Sequence, residues 1–441
     1  MMKTTFFIFL LVVCCISSTY LRAQEKLTFK SLEEIYAYAD SHNNTLRNAV
    51  QQNLVAKYQV IASKLGKWNL QGRADFTATA NIKLNTSFVP AELFGGPAGT
   101  YRPVNFGQKY ESNVTFSPQI DLINPYAAAL IKTAKTNEQL TRVNNLLDKK
   151  AVYESISASY HNILSYQGQI LVTHKSLANA DTLCLILQNK HNEGIARKQD
   201  VNMALVNRLT VQDKLQQLEV QLEQQYNMLK ILADIDSVTS VSITANEATM
   251  EITDLTKIAT GDLLQRQAEL QTQYQQSTLR ADKRWFYPTL NLFSSFGLQQ
   301  NTNNRFFDNS RWFGTSYVGL RLSIPLLPEF TKITTVKNDK INLQIARNNW
   351  QHSILQDRIN NNQLVLDEQK AKKSYRAAVQ IEALRKDSYY KNLNIYREGL
   401  LTAADLIESF EDWLNSSLNT VAQLANAKYA RSKITISNTI K

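Results

Sequence analysis

Apolar and polar residues alternate with a period of two along several stretches of the chain. From Leu70 to Asn85, Leu70, Gly72, Ala74, Phe76, Ala78, Ala80, Ile82 and Leu84 share one parity. Gln71, Arg73, Asp75, Thr77, Thr79, Asn81, Lys83 and Asn85 share the other. Tyr110, Val114, Phe116, Ile120 and Leu122 likewise oppose Glu111, Asn113, Thr115, Ser117, Gln119 and Asp121. Later, Leu290, Leu292, Phe296 and Leu298 share a face, and Trp312, Val318, Leu320, Leu322 and Ile324 oppose Thr315, Arg321 and Ser323. Each pattern predicts a strand with one apolar and one polar face. The first two run for roughly 13–16 residues, against about 5–6 in an ordinary strand. Such strands suit a membrane barrel, where one face meets lipid and the other a wet lumen. A soluble sandwich is the alternative. Aromatics at both ends of the strands favour the barrel: Trp285, Phe286 and Tyr287 at one end, Tyr101, Phe106, Tyr110, Phe306, Phe307 and Trp312 at the other.

Between these stretches the pattern turns helical. Asn124 to His191 holds a single glycine and, after Pro125, no proline; Pro328 to Tyr396 holds no glycine and no further proline. Each predicts a continuous helix of about 68 residues, or about 100 Å. A return helix follows each, with Leu215, Leu218, Leu222, Leu229 and Leu232 at coiled-coil spacing in the first and Phe410, Leu414, Leu418, Val421 and Leu424 in the second. The turns share a phrase: Glu193-Gly194 with Asp200, and Glu398-Gly399 with Asp405, 205 residues further on. Trp68 and Trp285 precede the first strand of each half. The chain thus reads as a duplication: residues 1–23 an export signal, 24–234 a first repeat with hairpin 70–122, 235–256 a connector, and 257–441 a second repeat with hairpin 289–325. Thr86 to Gln108 reads as a longer loop in the first half.

Composition agrees with long elements. Thirteen glycines and eight prolines in 441 residues come to about 5%, against about 12% in average usage. Lys3 followed by apolar Phe6 to Ile16 and then Leu21-Arg22-Ala23 predicts a signal peptide cut near Ala23. A short N-terminal anchor, or lipidation at Cys14 or Cys15, are the alternatives. Removing residues 1–23 takes two cations from a formal charge of +11, leaving a dispersed excess that does not mark a nucleic-acid partner. Cys184 is then the one remaining thiol, so no intrachain disulfide is expected. No apolar run is expected to be long enough to span a membrane as a helix.

Four strands cannot close a lumen, and open edges are not tolerated in lipid. The chain must therefore oligomerise, and three copies supply twelve strands and a channel. Signal peptide, paired repeats, a hairpin in each, very long helices and the duplicated glycine phrases together resemble the TolC-type outer-membrane factor family. The resemblance implies a mixed α+β fold: a long antiparallel α-helical coiled-coil barrel continuing into an outer-membrane β-barrel formed by trimerisation, with four strands per chain. It implies a homotrimer in the outer membrane of a Gram-negative bacterium, reaching through the periplasm. Such a protein serves as exit duct of a tripartite efflux or type I secretion system, with a periplasmic adaptor and an inner-membrane transporter as partners. A secreted or surface coiled-coil adhesin is the alternative.

By the same resemblance, Glu193, Gly194, Asp200, Glu398 and Gly399 belong to the adaptor-contacting tip, and Asp405 and Glu408 constrict the periplasmic entrance. Arg197 and Lys198 have no counterpart between Gly399 and Asp405, which sets the two returns apart. From the residues alone, the glycines end helices, and Thr402-x-x-Asp405 reads as a capping box. Asp405 and Glu408 share a helix face. Arg73, Asp75, Lys83, Glu111 and Arg321 fall on the face expected to line the lumen. No enzyme and no cofactor are expected: His42, His161, His174, His191 and His352 lack metal-site spacing, and nucleotide-loop, nucleophile-elbow and Cys-x-x-Cys motifs do not occur.

Overall fold

The computed structural model describes residues 26–244, 263–309, 311–327 and 329–440. The signal segment with Cys14 and Cys15, and the connector beyond Thr244, lie outside the described residues. In chain order the elements are β1 (Lys26–Phe29), α1 (Leu32–His42), α2 (Asn44–Gly66), β2 (Gln71–Ala80), β3 (Asn85–Pro90), β4 (Tyr101–Phe106), β5 (Tyr110–Ile123), α3 (Pro125–Asn192), α4 (Lys198–Ala233), β6 (Ser240–Ile243), α5 (Leu263–Asp282), β7 (Thr289–Thr302), β8 (Phe313–Ser323), α6 (Phe330–Arg397) and α7 (Ala403–Thr439). The chain divides into two compact units. One takes Met1–Gln52, Arg142–Gln267 and Gln351–Lys441; the other takes Asn53–Thr141 and Ala268–Trp350.

The second unit is built on one four-stranded antiparallel sheet in the order β2-β5-β7-β8. The two expected hairpins form, and β5 joins them by pairing with β7. The cross-strand rows keep the parities apart. Phe76, Val114 and Leu298 share a row, as do Ala74, Phe116 and Phe296, and Ile120, Leu292 and Leu320. The opposite face carries rows such as Asp75, Thr115, Gly297 and Thr315. In a single chain the apolar face stands open: Phe76, Val318, Leu320 and Leu322 are each more than half exposed. The strands at both edges, β2 and β8, have one unpaired side.

Three expectations about this unit are corrected. The first strand ends at Ala80, although alternation continues to Asn85. The Asn81 amide bonds to Lys109 O at 2.8 Å, and its side chain bonds to Gln108 O and Glu111 Oε1, both at 3.0 Å. These contacts turn the chain, so Lys83 lies in the bend after β2. The supposed loop Thr86 to Gln108 is a hairpin of β3 and β4, closed by a 3₁₀ turn at Ala91–Phe94 and by Gly95 with φ 76°. Finally, the register slips between Asp121 and Ile123, so Leu122 sits in a bulge and Ile123 pairs with Leu290.

The first unit is a helical bundle with two cores. One gathers Leu183 and Leu187 of α3, Val201, Ala204 and Val211 of α4, Tyr389 and Tyr396 of α6, and Leu406, Phe410 and Leu414 of α7. The other joins Ile156, Tyr160 and Ile163 of α3 and Leu229 of α4 to Ile35 and Ala39 of α1 and to Phe29 and Ile243. Those last two belong to a parallel pair, β1 with β6. The β6 end of the connector thus keeps its strand-forming character, with a partner that the alternation did not reveal. Gly168 leaves room for a side chain of α7: a Cβ there would lie 2.7 Å from Val421 Cγ1. The long helices run within a residue or two of the expected bounds. Contrary to expectation, one stretch of α3 is apolar enough by length and composition to cross a membrane.

Candidate functional site

The two helix returns of the first unit share one backbone design. Gly194 and Gly399 adopt φ of 75° and 80°. Behind them, Gly194 N bonds to His191 O at 2.9 Å and Ile195 N to Lys190 O at 2.8 Å. In the second return, Gly399 N bonds to Tyr396 O at 3.0 Å and Leu400 N to Ile395 O at 3.1 Å. This is the Schellman pattern, which satisfies the last carbonyls of a helix and needs a left-handed residue. The duplicated phrase is therefore a backbone instruction.

The side chains around that backbone differ. Thr402 caps α7: its Oγ1 accepts from Asp405 N at 3.2 Å and donates to Asp405 Oδ2 at 2.6 Å. In the first return the capping position holds Arg197, whose backbone amide donates to Asp200 Oδ2 at 2.9 Å. Both acids of the phrase thus bond at helix starts: Asp405 as its spacing from Thr402 predicts, and Asp200 in an arrangement that the spacing did not single out. Asp405 and Glu408 remain exposed on successive turns of α7. The returns are tied together by Lys190. Its Nζ lies 4.3 Å from the Tyr396 ring centroid and donates to Tyr396 O at 3.3 Å, capping α6 from the other return. Burial raises the Tyr396 hydroxyl pKa, and Asp200 adds to the shift.

Above the tip each helical hairpin holds a cross-strut, with the sense reversed. Asp181 of α3 pairs with Arg208 of α4, whereas Arg385 of α6 pairs with Asp412 of α7. The two return helices meet beside these struts, where Asn207 Nδ2 donates to Glu411 Oε1 at 2.8 Å. Higher in α3, His161 is buried with neither ring nitrogen bonded. Burial, with the nearby Lys428, lowers its pKa to about 4.

In the second unit the polar sheet face carries four of the five residues expected there. Arg73 Nε pairs with Asp75 Oδ1 at 2.7 Å, and Glu111 accepts from Asn81. Arg321 lies over the Phe293 ring, its Cζ 4.6 Å from the centroid. Lys83, in its bend, is outside the sheet. Asp121, placed on the polar face by its parity but not singled out, is buried and accepts from Asn291 Nδ2 and, at 2.9 Å, from Asn124 Nδ2. Sequence reasoning passed over Phe293 and Tyr317, which share this face by parity with Arg321. On the other face, the loop after β7 brings Phe307 onto Phe76, with centroids 5.6 Å apart, and Phe306 onto Tyr110, 4.8 Å apart. At the opposite end of the sheet Trp285 meets Tyr126 at 5.2 Å. Below β7, Asp282 and Asp339 face one another, both buried. Burial and the hydrogen bond and charge of Asp339 raise the Asp282 pKa to about 7. Among the described residues, no three His, Cys, Asp or Glu side chains converge to hold a metal.

No family model matches the chain, and no curated protein sequence matches it. Solved structures do. The outer membrane protein VceC of Vibrio cholerae superposes with a TM-score of 0.75 at 16% identity, over 93% of this chain and 97% of that one. The CmeC outer membrane channel of Campylobacter jejuni gives 0.74 at 15% identity, over 93% and 84%. The open-state MtrE outer membrane channel of Neisseria gonorrhoeae gives 0.71 at 13%, over 93% and 90%. At such identities the likeness is one of architecture, and it extends over both units. With its four-stranded sheet of two opposed faces, its pair of 68-residue helices and its duplicated returns, the chain has the TolC-type outer-membrane factor fold.

Proposed function

We propose that the chain is the outer-membrane exit duct of a tripartite efflux or type I secretion system, working as a homotrimer. The observation that carries this reading is the sheet. It has one continuous apolar face, one polar face and two open edges, a combination unstable in water and incomplete in lipid. Three copies joined edge to edge remove the open edges and enclose the polar face as a lumen. The apolar face then meets outer-membrane lipid, and the aromatics at its two ends occupy the interfaces. The helical unit extends into the periplasm. There the returns around Glu193, Gly194, Asp200, Glu398 and Gly399 meet a periplasmic adaptor, which couples the duct to an inner-membrane transporter. Asp405 and Glu408, three copies of each, form the acidic entrance. Arg73, Asp75, Glu111 and Arg321 line the barrel. The chain performs no reaction and carries cargo only.

The test is assembly and conductance. Detergent-extracted protein should scatter light as three mature chains, partition with outer membranes and form channels in planar bilayers. A stable monomer that is soluble without detergent would point instead to the adhesin reading.

A further inference from the structure

We propose that the polar face of the sheet holds a binding shelf for anionic aromatic solutes, built from Phe293, Tyr317 and Arg321 on a floor opened by Gly319. The inference deepens the channel reading and rests on it, since it takes this face as the lumen.

The β7–β8 register sets Phe293 directly opposite Gly319, with Arg321 and Tyr317 two residues to either side on β8. A Cβ at Gly319 would lie 2.8 Å from Phe293 Cζ. The ring therefore lies across the β8 backbone in space that only glycine leaves. Arg321 covers one side of it at 4.6 Å, and Tyr317 meets it edge-on at 6.2 Å and 73°. Arg321 and Tyr317 are both exposed, so the cluster opens away from the sheet.

The charges on this face single out Arg321. Arg73 is paired with Asp75, Glu111 accepts an amide, and Asp121 is buried between two asparagines. Among the described residues Arg321 has an aromatic neighbour and no ion-pair partner. In a closed ring β8 would adjoin β2 of the next copy, whose Asp75 is already engaged by Arg73. A guanidinium held against a ring presents its remaining N–H groups as a fork suited to carboxylate, sulfonate or phosphate. Phe293 and Tyr317 supply the stacking surface. An aromatic anion engages both parts. An aromatic cation is repelled by Arg321, and an aliphatic anion forfeits the rings.

The experiment titrates the assembled, detergent-purified protein by calorimetry with 1-naphthalenesulfonate, (1-naphthylmethyl)ammonium and methanesulfonate. The aromatic sulfonate should bind about tenfold or more tightly than the aromatic cation, the difference expected from one charge-assisted contact, and severalfold more tightly than methanesulfonate, which lacks the ring contacts. Arg321→Gln should weaken binding of the aromatic sulfonate about tenfold, and Phe293→Leu severalfold, while Arg321→Lys retains part of the affinity. Should Arg321→Gln fail to assemble, Arg321→Lys and Phe293→Leu carry the comparison. Equal binding of the three probes, or sulfonate binding unchanged in the variants, overturns the shelf. Conductance of the same preparation in planar bilayers reports on the channel separately. A protein that conducts without discriminating among the probes refutes the shelf alone; one that discriminates and never conducts refutes the channel alone.

Discussion

Exchanging two adjacent residues tests which face of the sheet meets lipid. Leu320 shares its row with Ile120 and Leu292 on the apolar face, and Arg321 follows on the polar face, stacked on Phe293. The double variant Leu320→Arg, Arg321→Leu keeps composition and net charge and moves one guanidinium through the sheet. Arginine on a lipid face costs about 2–4 kcal/mol at the bilayer midplane. Loss of the Phe293 contact adds about 0.5–1 kcal/mol. The sum, roughly 2.5–5 kcal/mol per chain, corresponds to a loss of about seventyfold to several-thousandfold in folding equilibrium. The assay is folding into lipid vesicles, followed by heat-modifiable mobility on gels across a urea series. Arg321→Leu alone and Thr77→Arg, both on the polar face, should fold with small losses. In a soluble sandwich with Leu320 as exposed as it is here, at 64%, the exchange would cost little beyond the Phe293 contact, about 0.5–1 kcal/mol. An unchanged urea midpoint in vesicles for the double variant refutes the lipid-facing assignment.

Other consequences are open to measurement. Gly194→Ala and Gly399→Ala, each at a positive φ with open space around the missing Cβ, should each cost about 1–2 kcal/mol from backbone strain alone; unaltered thermal midpoints would contradict the left-handed returns. Asp405→Asn with Glu408→Gln should weaken divalent-cation block of single channels and leave assembly intact, whereas a purely capping role would lower stability by about 1 kcal/mol and leave block unchanged. Native Asp282 keeps its proton up to about pH 7 while the unfolded chain loses it near pH 4, so its contribution is present in acid and lost as pH rises. His161 acts oppositely, since below pH 6.5 the unfolded chain binds a proton that the native ring refuses until about pH 4. Urea midpoints between pH 4.5 and 6.5 should therefore fall more steeply toward acid in Asp282→Asn than in the parent, and less steeply in His161→Phe; parallel profiles would refute both assignments.

What the sequence disclosed follows the range of the forces involved. The long helices were legible to within a residue or two because their bounds are local: inside them breakers are reduced to the single Gly168, and a glycine follows the end of each. The sheet faces were legible because parity is local too. The end of β2 was not. Ile82 and Leu84 keep the alternation, but Asn81 turns the chain through bonds to Gln108, Lys109 and Glu111, roughly 30 positions away. The β3–β4 hairpin hid behind Pro90, Pro103 and Gly95-Gly96-Pro97, which read as loop; proline is tolerated there because each strand has only one partner. The β5–β7 seam and the β1–β6 pair join residues far apart, and no short window encodes such partners. At the tip, the Asp405 cap was visible as a spacing. The tie from Lys190 to Tyr396 was not, because it depends on how two hairpins pack.

The reversed struts of the two hairpins have a physical reason that can be tested. Asp181–Arg208 and Arg385–Asp412 stand on outgoing and returning helices in opposite order. The returning helices α4 and α7 pack against one another, joined by Asn207 and Glu411, the residues directly preceding Arg208 and Asp412. Had both hairpins kept the same order, that seam would bring two arginines to one level. With the order reversed it brings an arginine and an aspartate. The exchange Arg385→Asp with Asp412→Arg separates the two effects, because the strut inside the second hairpin survives and only the relation between the hairpins changes. Exposed pairs of this kind contribute up to about 1 kcal/mol, so a loss of about 0.5–1 kcal/mol is expected in dilute buffer. In 1 M salt, where screening acts within about 3 Å, the loss should vanish. A loss that persists in high salt would mean damaged packing, and no loss in dilute buffer would mean that the order of charges along the seam has no energetic role.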